Sequence, residues 1–136
     1  MRTLLAAVPF VVASLLPAQG CGSLAIQGGA AGSQLSISFS GAVAGNLAIL
    51  VVGEQVGATQ VALPLGGSLL LGVAEPFFPL PLGMVDASGA ASLQLQVPAT
   101  LPAQIQVHAQ AVSLGYMLRP FGLSACASNV VPVTIG

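Results

Sequence analysis

The side chains of this 136-residue chain that could support acid–base, nucleophilic or metal chemistry are few and widely spaced. The carboxylates are Glu54, Glu75 and Asp86, and the one histidine is His108. Most catalytic and metal centres need two or three such groups at one point. Asp86 has the turn role of an Asp-Ala-Ser-Gly sequence, and His108 falls among glutamines on a polar strand face, where we expect an ordinary solvated side chain. We therefore predict a protein that is not an enzyme and that uses no metal or other cofactor.

The composition also restricts the partners. Beyond the first twenty residues Arg119 is the only basic side chain, whereas binding to nucleic acid needs several Lys or Arg contacts, so we exclude nucleic acid as a partner. Hydrophobic residues make up 55% of the chain and charged residues 4%, which is the opposite of a disordered composition. The sequence predicts a folded domain whose charge-poor surface requires either a limited protein concentration or a partner that covers part of it.

Residues 1–20 have the features of a secretory signal peptide. Arg2 gives a positive start, Leu4–Leu16 form an apolar stretch too short to span a bilayer comfortably, and Ala18-Gln19-Gly20 fits a small-x-small cleavage site. We expect cleavage at the end of this segment, a single mature domain over residues 21–136 with no membrane span, and a secreted or cell-envelope location.

The two cysteines of the chain, Cys21 and Cys126, leave two outcomes open. Cys21 would be the first mature residue, so it could be lipidated as in bacterial lipoproteins, although Ala18 stands where such sites usually have leucine. Alternatively Cys21 and Cys126 form a disulfide, which would stabilise the fold by about 4–5 kcal/mol in the chain-entropy model. We favour the disulfide, because an even number of cysteines in an oxidising compartment normally pairs.

Alternating apolar and polar residues predict β-strands along the mature chain. The predicted strands are Ser23–Gln27, Gln34–Ser40, Asn46–Val52, Gln60–Leu65, Leu80–Val85, Ala91–Val97, Gln104–Ala111 and a final stretch through Val131, Val133 and Ile135. Asn46–Val52 is apolar on both faces, which predicts a central strand covered on both sides, and Pro132 predicts an edge or a bulge for the last strand. We predict an all-β fold: an antiparallel, two-sheet, immunoglobulin-like sandwich of about seven or eight short strands.

Residues 66–83 do not fit this pattern, because prolines at 76, 79 and 81 are unsuited to pairing inside a sheet. We expect an extended loop that packs over one end of the sandwich. The functional alternative is an apolar contact surface for a partner, with Phe77 and Phe78 as its anchors.

A second possible contact surface follows the long predicted strand. Its aromatic candidates are Tyr116 and Phe121, together with Phe77 and Phe78, and Arg119 is the candidate polar clamp. Tyr116 and Arg119 lie in a stretch punctuated by Gly and Pro, where we expect them to share a loop, and core filling is the alternative role of the phenylalanines. Exposed aromatic rings with a polar neighbour are typical of sugar-binding sites on β-sandwiches. The expected partner is therefore a cell-envelope protein or a glycan.

The chain from Asn46 onward resembles a small secreted β-module of planctomycete-type bacteria that often forms the tail of larger exported proteins. The segments that carry this resemblance are Leu63-Pro64-Leu65-Gly66-Gly67, Asp86-Ala87-Ser88-Gly89 with the following strand and Pro98, His108-Ala109-Gln110-Ala111, Ser128-Asn129 and Val133-Thr134-Ile135-Gly136. Ser68 departs from the pattern, since such modules carry a cysteine at this point. The resemblance implies an immunoglobulin-like sandwich, a role in export or surface display, and no catalytic residue. We therefore expect an exported, non-catalytic structural or interaction module.

Overall fold

The computed structural model describes residues 22–64, 66–118 and 121–136. Within these ranges the chain forms nine strands and no helix, so the all-β prediction is confirmed. The strands are β1 (Ser23–Gly28), β2 (Gln34–Ser40), β3 (Leu47–Gly53), β4 (Val56–Ala62), β5 (Ser68–Val73), β6 (Phe77–Met84), β7 (Ala91–Gln96), β8 (Ile105–Leu118) and β9 (Phe121–Ile135).

The strands form three antiparallel sheets, two of which make a sandwich. The front sheet has the order β1-β2-β7, the central sheet has the order β6-β3-β8-β9, and β4 and β5 form a separate outer hairpin. Side chains of the front and central sheets share one buried cluster, which includes Leu35, Ile37, Phe39, Leu50, Ala109, Ala111 and Val133. The predicted β-sandwich is thus present, and its core lies between these two sheets.

Strand β2 shows most directly how the alternating sequence produces this packing. Its bounds are those predicted, and Leu35, Ile37 and Phe39 are all buried in the core. Ser38 and Ser40, from the alternate positions, are exposed. Successive side chains of a strand point to opposite faces, so one apolar residue in every two suffices to bury one face of the front sheet.

The outer hairpin adds a third layer on the far face of the central sheet. A second buried cluster joins Leu69 and Leu71 of the hairpin to Val51, Val112 and Ala127 of the central sheet. Leu50 of β3 therefore faces the main core while Val51 faces the hairpin. This arrangement confirms the prediction of a central strand covered on both sides, because a strand buried on both faces needs apolar residues at consecutive positions.

The prediction of a loop over residues 66–83 is wrong, because this stretch contains strands β5 and β6. Leu69 and Leu71 of β5 fill the second cluster, which explains the run of leucines. Strand β6 lies at the edge of the central sheet, where Pro79 and Pro81 need not donate to a second neighbouring strand. Pro132 lies in β9 at the opposite edge, as its sequence position predicts.

Strands β8 and β9 extend well beyond the predicted segments and form a long hairpin. The pairing shifts between Gln110, which faces Val130, and Val112, which faces Ala127, so β9 has an irregularity around Ser128. The Ser128 Oγ accepts a hydrogen bond of 2.9 Å from the Ala111 backbone N–H and satisfies the ladder at this point. An irregularity of this kind breaks the alternation of the strand that contains it, and this hides in the sequence the part of β9 that precedes Ser128.

Candidate functional site

The titratable groups of the described residues do not form a metal site, although two of them are brought closer than their spacing suggests. The Ala74 N–H donates to the Gln55 carbonyl oxygen at 2.9 Å, so the turns that carry Glu54 and Glu75 meet. Both carboxylates are exposed. Within the described ranges no group of three or more His, Cys, Asp and Glu side chains is placed to hold a metal ion.

Asp86 has the structural role that its sequence predicts. Its Oδ1 accepts hydrogen bonds from the Ser88 hydroxyl at 2.6 Å, the Ser88 N–H at 2.9 Å and the Ala90 N–H at 3.1 Å. These bonds, that of the Ser88 side chain foremost, hold the pKa of Asp86 below its ordinary value because they favour the ionised form. Gly89 completes the turn with φ of 84°, a conformation that few other residues adopt without strain.

The prediction that His108 is an ordinary solvated side chain is wrong. His108 is half-buried, and its Nδ1 atom is shielded from solvent and has no hydrogen-bond partner in the structure. His108 pairs with Gly53 on β3 and with Pro132 on β9. It lies two residues before Gln110, which is buried beneath the outer hairpin. The polar character of this strand face gave no sign of a third layer, so the burial could not be read from the sequence.

Gln110 is a structural residue that the sequence analysis missed. It is 6% exposed, and its Oε1 accepts a hydrogen bond of 2.9 Å from the Gly72 N–H of the outer hairpin. Its Nε2 donates to the Ser128 carbonyl oxygen at 2.7 Å. The side chain thereby joins the outer hairpin to both strands of the β8–β9 pair. Its place in a row of glutamines made it look like one more solvated residue.

Replacing Gln110 by Leu is expected to lower the free energy of unfolding by about 2–3 kcal/mol, because a buried N–H and a buried carbonyl lose their partners while the volume is nearly kept. The measurement is urea unfolding followed by circular dichroism. Gln106→Leu, at an exposed position of the same strand, is the matched control and should change the value by less than about 0.5 kcal/mol. Equal effects of the two substitutions would show that the Gln110 bonds do not stabilise the hairpin.

The predicted contact residues fall into two separate places. Phe77 is half-buried against the second cluster, whereas its neighbour Phe78 is 58% exposed. Tyr116 is 76% exposed and Phe121 is also exposed, at the far end of the β8–β9 hairpin. Leu47, at one end of β3, pairs with Leu114, two residues from Tyr116, whereas Gly53, at the other end of β3, pairs with Phe77. The length of β3 therefore separates the Phe77–Phe78 pair from Tyr116 and Phe121. Arg119 lies outside the described residues.

Tyr116 and Phe121 do share one face of their hairpin. Tyr116 pairs with Leu123 and Leu118 pairs with Phe121, so the two aromatic residues are diagonal neighbours across the strands. Diagonal neighbours lie about 7–8 Å apart, within reach of aromatic side chains. This end of the hairpin therefore presents a two-ring surface. Tyr116 lies in strand β8 and not in the loop that the sequence predicted for it.

A cavity of about 120 Å³ lies between the front and central sheets, and it is called the inter-sheet cavity below. All of its lining residues are apolar, and they include Ile26, Leu35, Leu50, Val52, Leu80 and Val107. Its exposed lining residues are Phe78 of β6 and Leu95 of β7, so the cavity opens between these two edge strands. Such a cavity can accept a hydrocarbon side chain and offers no polar group for chemistry.

No family model matches the chain, and neither the curated proteins nor the solved structures contain a match. In the part of the chain described, no helix has the length and apolar character needed to cross a membrane. The chain's own geometry is therefore the basis for its functional interpretation.

Proposed function

We propose that the protein is an exported, non-catalytic structural or interaction module. The observation that carries this proposal is the set of large apolar side chains that the folded domain leaves exposed. These residues are Val43, Leu47, Val56, Phe78, Met84, Leu95, Ile105, Tyr116 and Phe121. With so little charge on the chain, this surface is suited to contact with another macromolecule rather than to free existence in solution.

Export is supported by the signal-peptide features of residues 1–20, which lie outside the described residues, and by the resemblance to secreted planctomycete-type modules. Both support an extracellular or cell-envelope location for the mature domain. The immunoglobulin-like arrangement belongs to the same proposal and is favoured by a sandwich whose core lies between two antiparallel sheets.

A disulfide between Cys21 and Cys126 is part of the proposal. Cys126 is not a free thiol, and Cys21 lies outside the described residues. Strands β1 and β9 are joined where the Leu24 N–H donates to Asn129 Oδ1 at 2.9 Å and Asn129 Nδ2 donates to the Leu24 carbonyl at 3.1 Å. Each cysteine precedes one of these two residues by three positions, which favours a close approach of the cysteines. Lipidation of Cys21 is the alternative.

The second candidate function is carbohydrate binding, which the shared face of Tyr116 and Phe121 favours. Aromatic rings on one surface can stack against sugar rings. Glycan-array binding that is lost in Tyr116→Ala and kept in Phe78→Ala, a variant at the other end of the sheet, would support this function over a purely structural one.

The proposed function is tested on the full chain expressed with its leader in a bacterial host. We expect an exported product that begins at Cys21, whose mass rises by two hydrogens on reduction, and no turnover of aryl glycosides, esters or peptides. A mass that shows an acyl group on Cys21 would rule out the disulfide and establish the lipid anchor instead. Glycoside turnover that Glu54→Gln or Glu75→Gln abolishes would overturn the non-catalytic proposal, since a pair of carboxylates is the usual catalytic set of glycosidases.

A further inference from the structure

The strands of the described residues give the sandwich four edges, and three of these edge strands are protected against pairing with another chain. Prolines lie in β6 and in β9, and the backbone of β1 at Leu24 is bonded to the Asn129 side chain. Strand β7 is the fourth edge and has neither proline nor charge. Its residues Gln94, Leu95 and Gln96 are all exposed. Natural proteins normally block an edge of this kind, because its unpaired backbone is a template for another strand.

The backbone groups on the free side of β7 follow from its pairing with β2. The Val97 N–H donates to the Ser33 carbonyl at 2.9 Å, and the register continues with Leu95 opposite Leu35 and Leu93 opposite Ile37. Hydrogen bonds of an antiparallel strand alternate between its two sides. The odd-numbered residues therefore bond to β2, and the N–H and C=O groups of Ser92, Gln94 and Gln96 point to the open side.

The inter-sheet cavity is uncovered along this same edge. Ala91, at the beginning of β7, is buried, whereas Leu95, toward its end, is 37% exposed. The exposure of strand β6 increases toward the same end, since Leu82 is buried and Phe78 is exposed. A strand added beside β7 would therefore satisfy backbone groups and cover the mouth of an apolar cavity together.

We propose that the added strand is β7 of a second copy of this chain, paired antiparallel about a two-fold axis at Gln94. In this register Ser92 faces the partner's Gln96, and exposed Leu95 faces the partner's Leu93 on the cavity side. Two-fold pairing places the same strand of both copies side by side, so a charged residue near the axis would be repelled by the same charge on the partner. Strand β7 has no charged residue and avoids this repulsion. The inference deepens the proposed function, on which it rests, by naming one partner.

The test is sedimentation equilibrium of the full exported chain from low micromolar to submillimolar concentration, with hydrogen exchange at both ends of that range. We expect a monomer–dimer equilibrium and slower exchange of the Ser92, Gln94 and Gln96 amides in the dimer. Gln94→Pro removes one outward N–H and leaves the bonds to β2, so it should weaken dimerisation by at least about tenfold without loss of the folded state. Gln94→Ala keeps the N–H and should dimerise as the unaltered chain does.

A second pair of variants tests the apolar contact. Leu95→Arg should abolish the dimer, whereas Thr100→Arg, with the same charge at an exposed loop position, should preserve it. A chain that is monomeric throughout, or a dimer that Gln94→Pro leaves unchanged, would overturn the inference. So would a monomer that instead binds octanoate in the inter-sheet cavity. None of these outcomes affects export or the absence of turnover, so the proposed function can stand if the dimer fails.

Discussion

Replacing Phe39 by Ala is expected to lower the free energy of unfolding by about 3–5 kcal/mol. Phe39 is 0% exposed and lies in the middle strand of the front sheet, paired with Leu24 on β1 and Ala91 on β7. Its ring therefore supports both neighbouring strands and the central sheet at once. Domains of this size have about 5–15 kcal/mol of total stability, so the loss should leave the domain marginal. Urea unfolding with a far-ultraviolet circular dichroism readout measures it.

Phe121→Ala is the matched control for that substitution. The side chain removed is the same, but Phe121 is exposed at the end of the β8–β9 hairpin. We expect a change of less than about 0.5 kcal/mol, as for most surface substitutions. If the Phe121 variant loses as much stability as the Phe39 variant, the core does not lie between the two sheets as described.

Replacing Cys126 by Ser is expected to cost about 4–5 kcal/mol, the chain-entropy value for closing the loop between Cys21 and Cys126. The reason lies in the unfolded chain, which gains freedom when the link is absent. The measurement is unfolding in denaturant, with and without a reductant. The unaltered chain should lose stability on reduction, and Cys126→Ser should not respond to the reductant.

The partner of Cys126 is identified by a double-mutant cycle. Cys21→Ser should destabilise as much as Cys126→Ser, and the double variant should lose no more than either single variant, because one bond is removed in all three. If Cys21→Ser has no effect while Cys126→Ser destabilises, the two cysteines are not paired and the mature N-terminus is free to carry a lipid.

The sequence was most informative where one strand face meets water and the other meets the core. Strand β2 was predicted to the residue, because its serines and apolar residues alternate without interruption. The continuous apolar run of β3 showed that this strand is covered on both faces. It did not show that the outer hairpin covers one of them. Strand β5 has a similar apolar run, which periodicity alone cannot distinguish from a packed loop when glycines and prolines flank it.

The edge position of β6 could not be deduced from its prolines alone. Pro79 and Pro81 exclude a central strand, and both a loop and an edge strand remain compatible with them. Only the pairing with β3 decides between the two. The irregularity at Ser128 had a similar effect on β9, because it changes which face the odd-numbered residues present. Val131 and Val133 pack in the main core, whereas Ala125 and Ala127 pack beneath the outer hairpin.

The sequence placed Tyr116 in a loop with Arg119 and did not distinguish Phe121 from Phe77 and Phe78 as a candidate contact residue. The shared face of Tyr116 and Phe121 follows only from the pairing of β8 with β9. The sequence could not show that Phe77 and Phe78 lie at the opposite end of the sheet. It also gave no indication of the open β7 edge or of the inter-sheet cavity. Both depend on which strands become neighbours, and that is set by long-range packing of similar apolar residues rather than by local spacing.

The two buried clusters differ in size, so we expect the outer hairpin to detach at a lower free-energy cost than the unfolding of the sandwich. The outer hairpin rests on the smaller cluster, so it can detach while the sandwich beneath it persists. Detachment would expose Val51, Val112 and Ala127 as an apolar strip on this face of the central sheet. Whenever the hairpin is detached, this strip is an exposed apolar surface through which two molecules can aggregate.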